Sequence, residues 1–473
     1  MGSPEARRVM TDPSSRPSGP EKSTTLTIPR LVVSSYKGKG GKTLATMAIL
    51  SALSRQGLKV CAFKNGPDFI DPSYHRAVLG TPSRNLDYVL MGPTVVERFY
   101  RYSSGYDVGV VEGNHGLYDS MDGRTELGST AQMAKLLGAP VVVVLDGERL
   151  NRTVGALVRG LTQFDPGVRL RGAILTNVVP RQFERLTAIV EAEGLPVVGI
   201  IPRSEELARW MEYRHLGLTP MEERRSGGLV DLVREQLGPR VDGTQLFRIA
   251  REGSEPVPLR VPEAAPTEAT GTARIGVFGG RPFTFYYPET LERASQLGTV
   301  VFIDPETDPA LPPLDLLLIG GGFPELYADA LQRNRSLRSD VRRFAERGGR
   351  VYAECGGLMY LTDSIVTSEG EFDMTGVIEG VTVHSKRPAA HGYATARVLR
   401  DIPIARAGTV LRGHEFHYSR VLLRKKYELA LAYDLGQGLS DRHDGIQVNN
   451  VYAHYLHLHP ATYDVLSALV PAG

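Results

Sequence analysis

Arg30-Leu-Val-Val-Ser-Ser-Tyr-Lys-Gly-Lys-Gly-Gly-Lys-Thr43 runs directly into Leu44-Ala-Thr-Met-Ala-Ile-Leu-Ser-Ala-Leu-Ser-Arg-Gln56. An apolar run ends in a basic, glycine-rich turn, and a helix-forming stretch follows. Backbone N–H groups of such a loop cradle phosphates, the lysine reaches the β- and γ-phosphates, and the hydroxyl holds Mg2+. Lys42 and Thr43 are therefore read as the phosphate lysine and the metal-ligating hydroxyl of an ATP site. The alternative is a basic glycine turn without a ligand. The strand before the loop and the helix after it argue for the nucleotide.

Tyr36 stands where a strict phosphate loop has its first glycine. Lys37, with Gly38, Gly41 and Lys42, is instead similar to the loop of MinD/ParA-type ATPases, which carry an extra lysine near the loop's start. The nucleotide-binding set is Lys37, Gly38, Gly40, Gly41, Lys42, Thr43 and Asn177, the last closing the apolar run Gly172–Asn177. Carboxylates follow two other apolar runs: Asp68 and Asp71 in Lys64-Asn-Gly-Pro-Asp-Phe-Ile-Asp-Pro72, and Glu112 in Val110-Val-Glu-Gly-Asn-His-Gly-Leu-Tyr-Asp119. Mg2+ takes one or two carboxylates beside phosphate oxygens, so Thr43, Asp68 and Glu112 form the expected metal set. Asx-turn chemistry is the bland reading of Asp68 and Asp71. His115 reads as a polar loop residue.

The runs Arg30–Ser35, Lys59–Lys64, Val108–Glu112, Pro140–Asp146, Gly172–Asn177 and Val197–Pro202 are separated by helix-length segments. Several lack polar alternation, as parallel strands covered on both faces do. Glycine and aspartate at their ends mark the ligand crevice of a doubly wound α/β sheet. The alternation restarts with Arg274–Phe278, Thr299–Ile303, Leu314–Ile319 and Arg350–Glu354, after a Pro/Glu/Ala-rich linker composition over Gly253–Thr272. The chain divides accordingly into a disordered tail (1–28), an ATP-binding domain (29–220), a connecting helix and linker (221–272) and a second α/β domain (273–473). Its 473 residues exceed one ordinary core. A net charge of +2 gives no case for nucleic acid or a membrane surface. No apolar run approaches the roughly 20 residues that span a bilayer, and the first 28 residues lack the apolar stretch of a signal peptide. Cys61 and Cys355 are too few for a disulfide scaffold, which points to a reducing cytoplasm.

Cys355 sits in Arg350-Val-Tyr-Ala-Glu-Cys-Gly-Gly-Leu-Met-Tyr-Leu361. A strand-like run ends at the cysteine, two glycines follow, and a helix-like stretch begins. That is the layout of a nucleophile elbow, with a helix N-terminus behind the sulfur to favour the thiolate. A buried structural cysteine is the alternative. Leu318-Ile-Gly-Gly-Gly-Phe-Pro-Glu325 supplies Gly321 and Gly322, whose N–H groups with that of Gly356 form the expected oxyanion hole. A cysteine nucleophile needs a base, and Tyr455-Leu-His-Leu-His-Pro460 offers His457 or His459 on one face of an extended segment. Arg412-Gly-His-Glu-Phe-His-Tyr-Ser419 is a further polar cluster with metal-binding side chains.

GPDFIDP, PSRNLD (Pro82–Asp87), VEGNHGLYD, GSTA (Gly128–Ala131), RHLGL (Arg214–Leu218), AECGGLMYL, RGHEFHYS and YLHLH occur in the order seen in cobyrinate a,c-diamide synthases. The resemblance covers the chain from about Pro29 to Thr462. It implies an ATP- and glutamine-dependent amidase of tetrapyrrole acetate side chains, with a dethiobiotin-synthetase-like ATPase fold before a class I glutamine amidotransferase domain. Cys355 is then the nucleophile and His457 its base, and Asp68, Asp71, Glu112 and Asp119 belong to the synthetase site. Phe69 and Ile70 lie where substrate is sensed. The class I glutamate two residues past the histidine is His459 here, leaving the third member of that site open.

Cobyrinate is the default substrate, and sirohaem or nickel sirohydrochlorin are the alternatives. A cell-wall amidase of the same architecture and a MinD/ParA-like switch are the rival readings, and the second leaves Cys355 without a role. A homodimer is compatible with the sequence.

Overall fold

The computed structural model describes residues 21–210, 213–214, 217–218, 220–221, 228–262 and 271–470. In the N-terminal half seven strands pair in the order Arg84–Leu86, Val60–Asn65, Val108–Glu112, Arg30–Ser35, Val141–Asp146, Leu170–Val178, Val197–Pro202, all parallel. The middle strands are Val-rich because both faces are covered. Along Val141–Leu145, Val142 and Val144 join one core, while Val141, Val143 and Leu145 join the other. The first strand, Arg30–Ser35, lies between Val108–Glu112 and Val141–Asp146, at the point where the strand order reverses. Its C-terminal end therefore opens into the crevice where doubly wound sheets bind ligands.

The C-terminal half is built on six strands, Gly298–Ile303, Ala273–Phe278, Leu316–Ile319, Arg350–Glu354, Val451–His454 and Ile446–Val448, parallel except for the last pair. Both sheets are the α/β architecture the sequence implies. Two further sheets, of five and four strands, are built from segments between Thr362 and Leu458. The five-stranded sheet is antiparallel, and within it Val410–His417 pairs with His457–Leu458, setting His414 opposite His457. Two of the sequence's histidine-bearing motifs are thus neighbouring strands of one sheet.

The expected tail and linker need correction. Residues Glu21–Leu26 form a strand that pairs antiparallel with Val257–Pro262, inside the segment read as linker. The buried guanidinium of Arg30 explains why these low-apolar segments are held. It donates to the carbonyls of Ile28, Leu137 and Glu255, so the ends of both segments converge on one fully buried cation. Pro258 and Pro262 are tolerated because a two-stranded ribbon has only edges. Residues 1–20 of the tail and 263–270 of the linker lie outside the described residues.

The halves meet through polar contacts that the sequence motifs did not reveal. Arg98 pairs with Glu289 at 2.7 Å, Arg84 with Glu292 at 3.1 Å, and Tyr393 donates to Asp87 at 3.0 Å. Burial pushes the Asp87 carboxyl up to about 6. The PSRNLD segment is therefore an interface element.

Leu26 is completely buried against the Val32, Val141 and Val143 side of the sheet. Leu26→Ala should lower unfolding free energy by about 2–4 kcal/mol, as for other large-to-small core changes. Urea denaturation checks this, and a shift near zero would return the segment to a disordered tail.

Candidate active site

The phosphate loop spans Tyr36–Gly41 and hands over to helix Lys42–Arg55. Gly41 caps that helix with φ of 81°, and a Cβ there would fall 3.1 Å from Thr176 Oγ1. A side chain is excluded on both counts. Lys42 is buried, and its ammonium donates to the carbonyls of His115 and Lys37. Burial, then the neighbouring Lys64, lowers it to about 8. Lys37 pairs with Asp146 at 3.2 Å, and Asn177 donates to the same carboxylate at 3.3 Å, so these two residues share the rim of the loop.

Behind the loop lies a buried charge cluster. Thr43 Oγ1 is 2.9 Å from Glu112 Oε1 and 3.2 Å from Asp71 Oδ1. Lys64, fully enclosed at the end of strand Val60–Asn65, sits 2.5 Å from Asp71, 3.2 Å from Glu112 and 4.0 Å from Asp68. His75 bonds Glu112 from the other side at 2.7 Å. Burial would raise the Glu112 carboxyl, but Lys64 and the His75 hydrogen bond hold it well below its ordinary value. Asp71 moves the other way, raised by burial and by repulsion from Asp68 and Glu112. Burial would discharge Lys64, and the three carboxylates reverse that.

The metal set expected from sequence named Asp68. Its Oδ1 accepts from the backbone N–H groups of Ile70 and Asp71, holding the start of helix Ile70–Leu79, and the side chain lines the same cavity as Thr43 and Glu112. Asp71 Oδ1 stands beside the Thr43 hydroxyl. Hard oxygens of Thr43, Asp71 and Glu112 fit Mg2+, and Lys64 stands among them as a resident cation. Lys64 and His75 were missed by sequence reasoning. The available signal was a lysine at the C-terminal end of an otherwise apolar strand, four and seven residues before the two aspartates. Asp119 accepts from Gly116 N–H at 2.7 Å and so shapes the Gly113–Asp119 loop. Thr130 of GSTA bonds both the N–H and C=O of Asn114 in that loop.

These groups open into a cavity of about 600 Å³ whose far wall comes from the C-terminal half: Phe285, His391, Tyr393, His414, Glu415 and Phe416. Phe69 and Ile70 line it too. Phe69 crosses the boundary, stacking on Phe285 with centroids 4.9 Å apart and lying 5.3 Å from the ring of His457.

Cys355 is the turn between strand Arg350–Glu354 and helix Gly356–Leu361, at φ 48° and ψ −99°. A positive φ on a non-glycine residue is strained, and it is the conformation a nucleophile elbow imposes. A Cβ on Gly357 would fall 2.3 Å from the carbonyl oxygen of Ile319, so the elbow closes only with glycine there. Gly322 and Gly356 come together, a Cβ on Gly356 reaching 3.1 Å from Gly322 N. Gly321 abuts the His457 ring. The thiol is 1% exposed and reaches the carbonyl of Phe416 at 3.6 Å.

The local and the long-range influences on this thiol oppose each other. Burial, then Glu325, raises the thiol well above its ordinary value, outweighing the N–H of Gly356. Cys61 is likewise buried, raised to about 12 by desolvation. His457 is fully buried and stacked on His414, with centroids 4.9 Å apart. His459 turns toward Glu289, 3.9 Å away. Within RGHEFHYS, His417 bonds the carbonyl of Ser419 and lies 3.8 Å from Glu415, which accepts from the N–H groups of Gln437 and Gly438.

Lys64→Met leaves Asp71 and Glu112 without their buried cation and should cost about 3–5 kcal/mol of stability. Adding Asp71→Asn should recover part of that loss. Chemical denaturation of the single and double variants measures the coupling.

Two family models match the chain: a CobQ/CobB/MinD/ParA nucleotide binding domain over residues 31–216, and a CobB/CobQ-like glutamine amidotransferase domain over residues 274–464. The cobyrinate a,c-diamide synthase of Archaeoglobus fulgidus is 40% identical over 436 residues, covering 91% of this chain and 94% of that protein. The corresponding protein of Methanosarcina acetivorans is 36% identical, covering 94% and 95%. The hydrogenobyrinate a,c-diamide synthase of Streptomyces coelicolor is 38% identical, covering 91% and 94%. Identity at this level across both halves shows that the chain belongs to the cobyrinate a,c-diamide synthase family of glutamine-dependent amidating ligases.

Proposed function

We propose that the protein uses ATP and glutamine to convert the a and c acetate carboxylates of cobyrinate to amides. The observation that carries this reading is one shared wall. Phe416 lines the cavity that holds Lys42 and Glu112, and its carbonyl touches the Cys355 thiol at 3.6 Å. The Streptomyces relative's name favours hydrogenobyrinate as a second substrate.

A carboxylate has no leaving group at neutral pH. In this reading its oxygen attacks the γ-phosphorus of ATP and ADP departs, leaving an acyl phosphate. Lys42 and the loop amides stabilise the charge on the transferred group. Mg2+, held by Thr43, Glu112 and Asp71, would supply further positive charge to the phosphates. Cys355 attacks the amide carbon of glutamine, with His457 as the base that accepts the thiol proton and passes it to the departing nitrogen. Ammonia leaves, and water releases glutamate from the thioester. The N–H groups of Gly322 and Gly356 face the oxyanion.

Ammonia then crosses to the cavity and displaces phosphate from the acyl phosphate. Crossing past Phe416, Phe69 and Phe285 keeps it from the bulk water that would protonate it.

Cys355→Ala should abolish glutamine-driven amidation by about 10³-fold or more while retaining amidation driven by added ammonium salt. Product is followed as a mass decrease of about one unit per amide. Retained glutamine use sinks the nucleophile assignment. Offering cobyrinate, hydrogenobyrinate, sirohaem and nickel sirohydrochlorin separately tests the substrate, and turnover of sirohaem alone overturns it.

Lys42, lowered to about 8 by burial, gives a pH test. Phosphates bind the ammonium form, so ATP affinity should be flat below pH 8 and fall toward tenfold per unit above it. Calorimetric titration between pH 6.5 and 9.5 reads this, and Lys42→Met should remove the dependence.

A further inference from the structure

We infer that Glu354, the residue immediately before the elbow cysteine, is the acid that positions His457. The inference rests on the assignment of Cys355 and His457 proposed above, and supplies the third member that the sequence leaves open. Glu354 Oε2 lies 3.7 Å from Nδ1 of His457. Among the described residues it is the carboxylate that comes within 4.0 Å of a ring nitrogen of that histidine. His457 is fully buried, and neither ring nitrogen has a hydrogen-bond partner. A buried imidazole in that condition calls for a partner. Hydrogen bonds of this kind are often long before substrate arrives and tighten in the complex.

The carboxylate is itself fixed. Its other oxygen, Oε1, accepts from the Tyr352 hydroxyl at 2.6 Å and from the Leu458 backbone N–H at 3.3 Å. Tyr352 and Glu354 share one face of their strand, and His454, paired with Glu354 across the sheet, bonds the Tyr352 hydroxyl at 3.1 Å. One oxygen is thereby anchored to the scaffold and the other is turned toward His457. Tying to the Leu458 N–H also links the carboxylate to the strand that carries His457. His459 cannot substitute. It is not an acid, its Nδ1 accepts from the Ala461 N–H at 2.9 Å, and its ring faces Tyr287 with centroids 4.3 Å apart.

Glu354 acts through His457 and touches no reacting atom in this scheme. It fixes the ring tautomer with Nδ1 protonated, so that Nε2 keeps the lone pair that accepts the thiol proton. It also stabilises the imidazolium that forms, as the acid of a nucleophile–histidine–acid set does.

The test is steady-state glutamine hydrolysis by the full chain in the presence of ATP and cobyrinate, with ammonium-driven amidation measured in parallel. Glu354→Gln should lower kcat for glutamine by about 10- to 100-fold with KM changed less than about twofold, and leave ammonium-driven amidation at the wild-type rate. Glu354→Asp, which keeps the charge, should recover part of kcat. If Glu354→Gln retains kcat within about twofold while Cys355→Ala abolishes it, Glu354 is not the positioning acid although the nucleophile assignment stands. If Cys355→Ala retains glutamine hydrolysis, the underlying assignment itself fails. Loss of ammonium-driven amidation in Glu354→Gln marks a structural role and also overturns the inference.

Discussion

One buried ammonium holds the N-terminal site together. Lys64 brings two strand ends and the first turn of helix Ile70–Leu79 to a single point, because Asp71 and Glu112 cannot both stay enclosed without it. Thr43 enters the same network from the phosphate loop, and His75 closes it from below. The loop hydroxyl and the Glu112 carboxylate are both held within that charge cluster. Such a cluster is costly to break, which fits a part that must not shift when a highly charged nucleotide arrives.

The cleft is finished by the other half of the chain. Phe69 leaves the aspartate-bearing loop, lies flat on Phe285 and approaches the His457 ring. Around this aromatic contact run the ion pairs of Arg84 and Arg98 with Glu292 and Glu289. An apolar centre with a charged rim is the ordinary anatomy of an interface. Here it also places a residue of the Asp68–Asp71 loop against the ring of His457.

Much of this was legible beforehand, and the reason is physical. Parallel strands buried on both faces announce themselves as continuous apolar runs, so Arg30–Ser35, Val108–Glu112, Val197–Pro202 and Arg350–Glu354 could be read to the residue. Glycines forced by close approach marked the phosphate loop and the elbow. Partnerships across the chain were not legible. Nothing local tells that Asp68 caps a helix while Asp71 faces Thr43, or that Tyr393 reaches Asp87. The ribbon formed by Glu21–Leu26 and Val257–Pro262 escaped for the same cause, since its order derives from Arg30 and a distant strand. Composition describes a segment alone and misses what another segment does to it. At Cys355 the helix start does act as expected through the Gly356 N–H, while burial and the distant Glu325, which no local pattern announces, push the thiol the other way.

The enclosure of Cys355 has a bearing on oxidative damage. A reactive cysteine is attacked by peroxide in proportion to its thiolate character and its exposure, and at rest this sulfur has little of either. In the proposed reaction, admitting glutamine to Cys355 would expose the sulfur and relieve part of the burial that holds its proton. In that proposed reaction the sulfur is thus shielded from over-oxidation while idle and open to it during turnover, so a protein starved of glutamine would age more slowly in an oxidising cell than one at work.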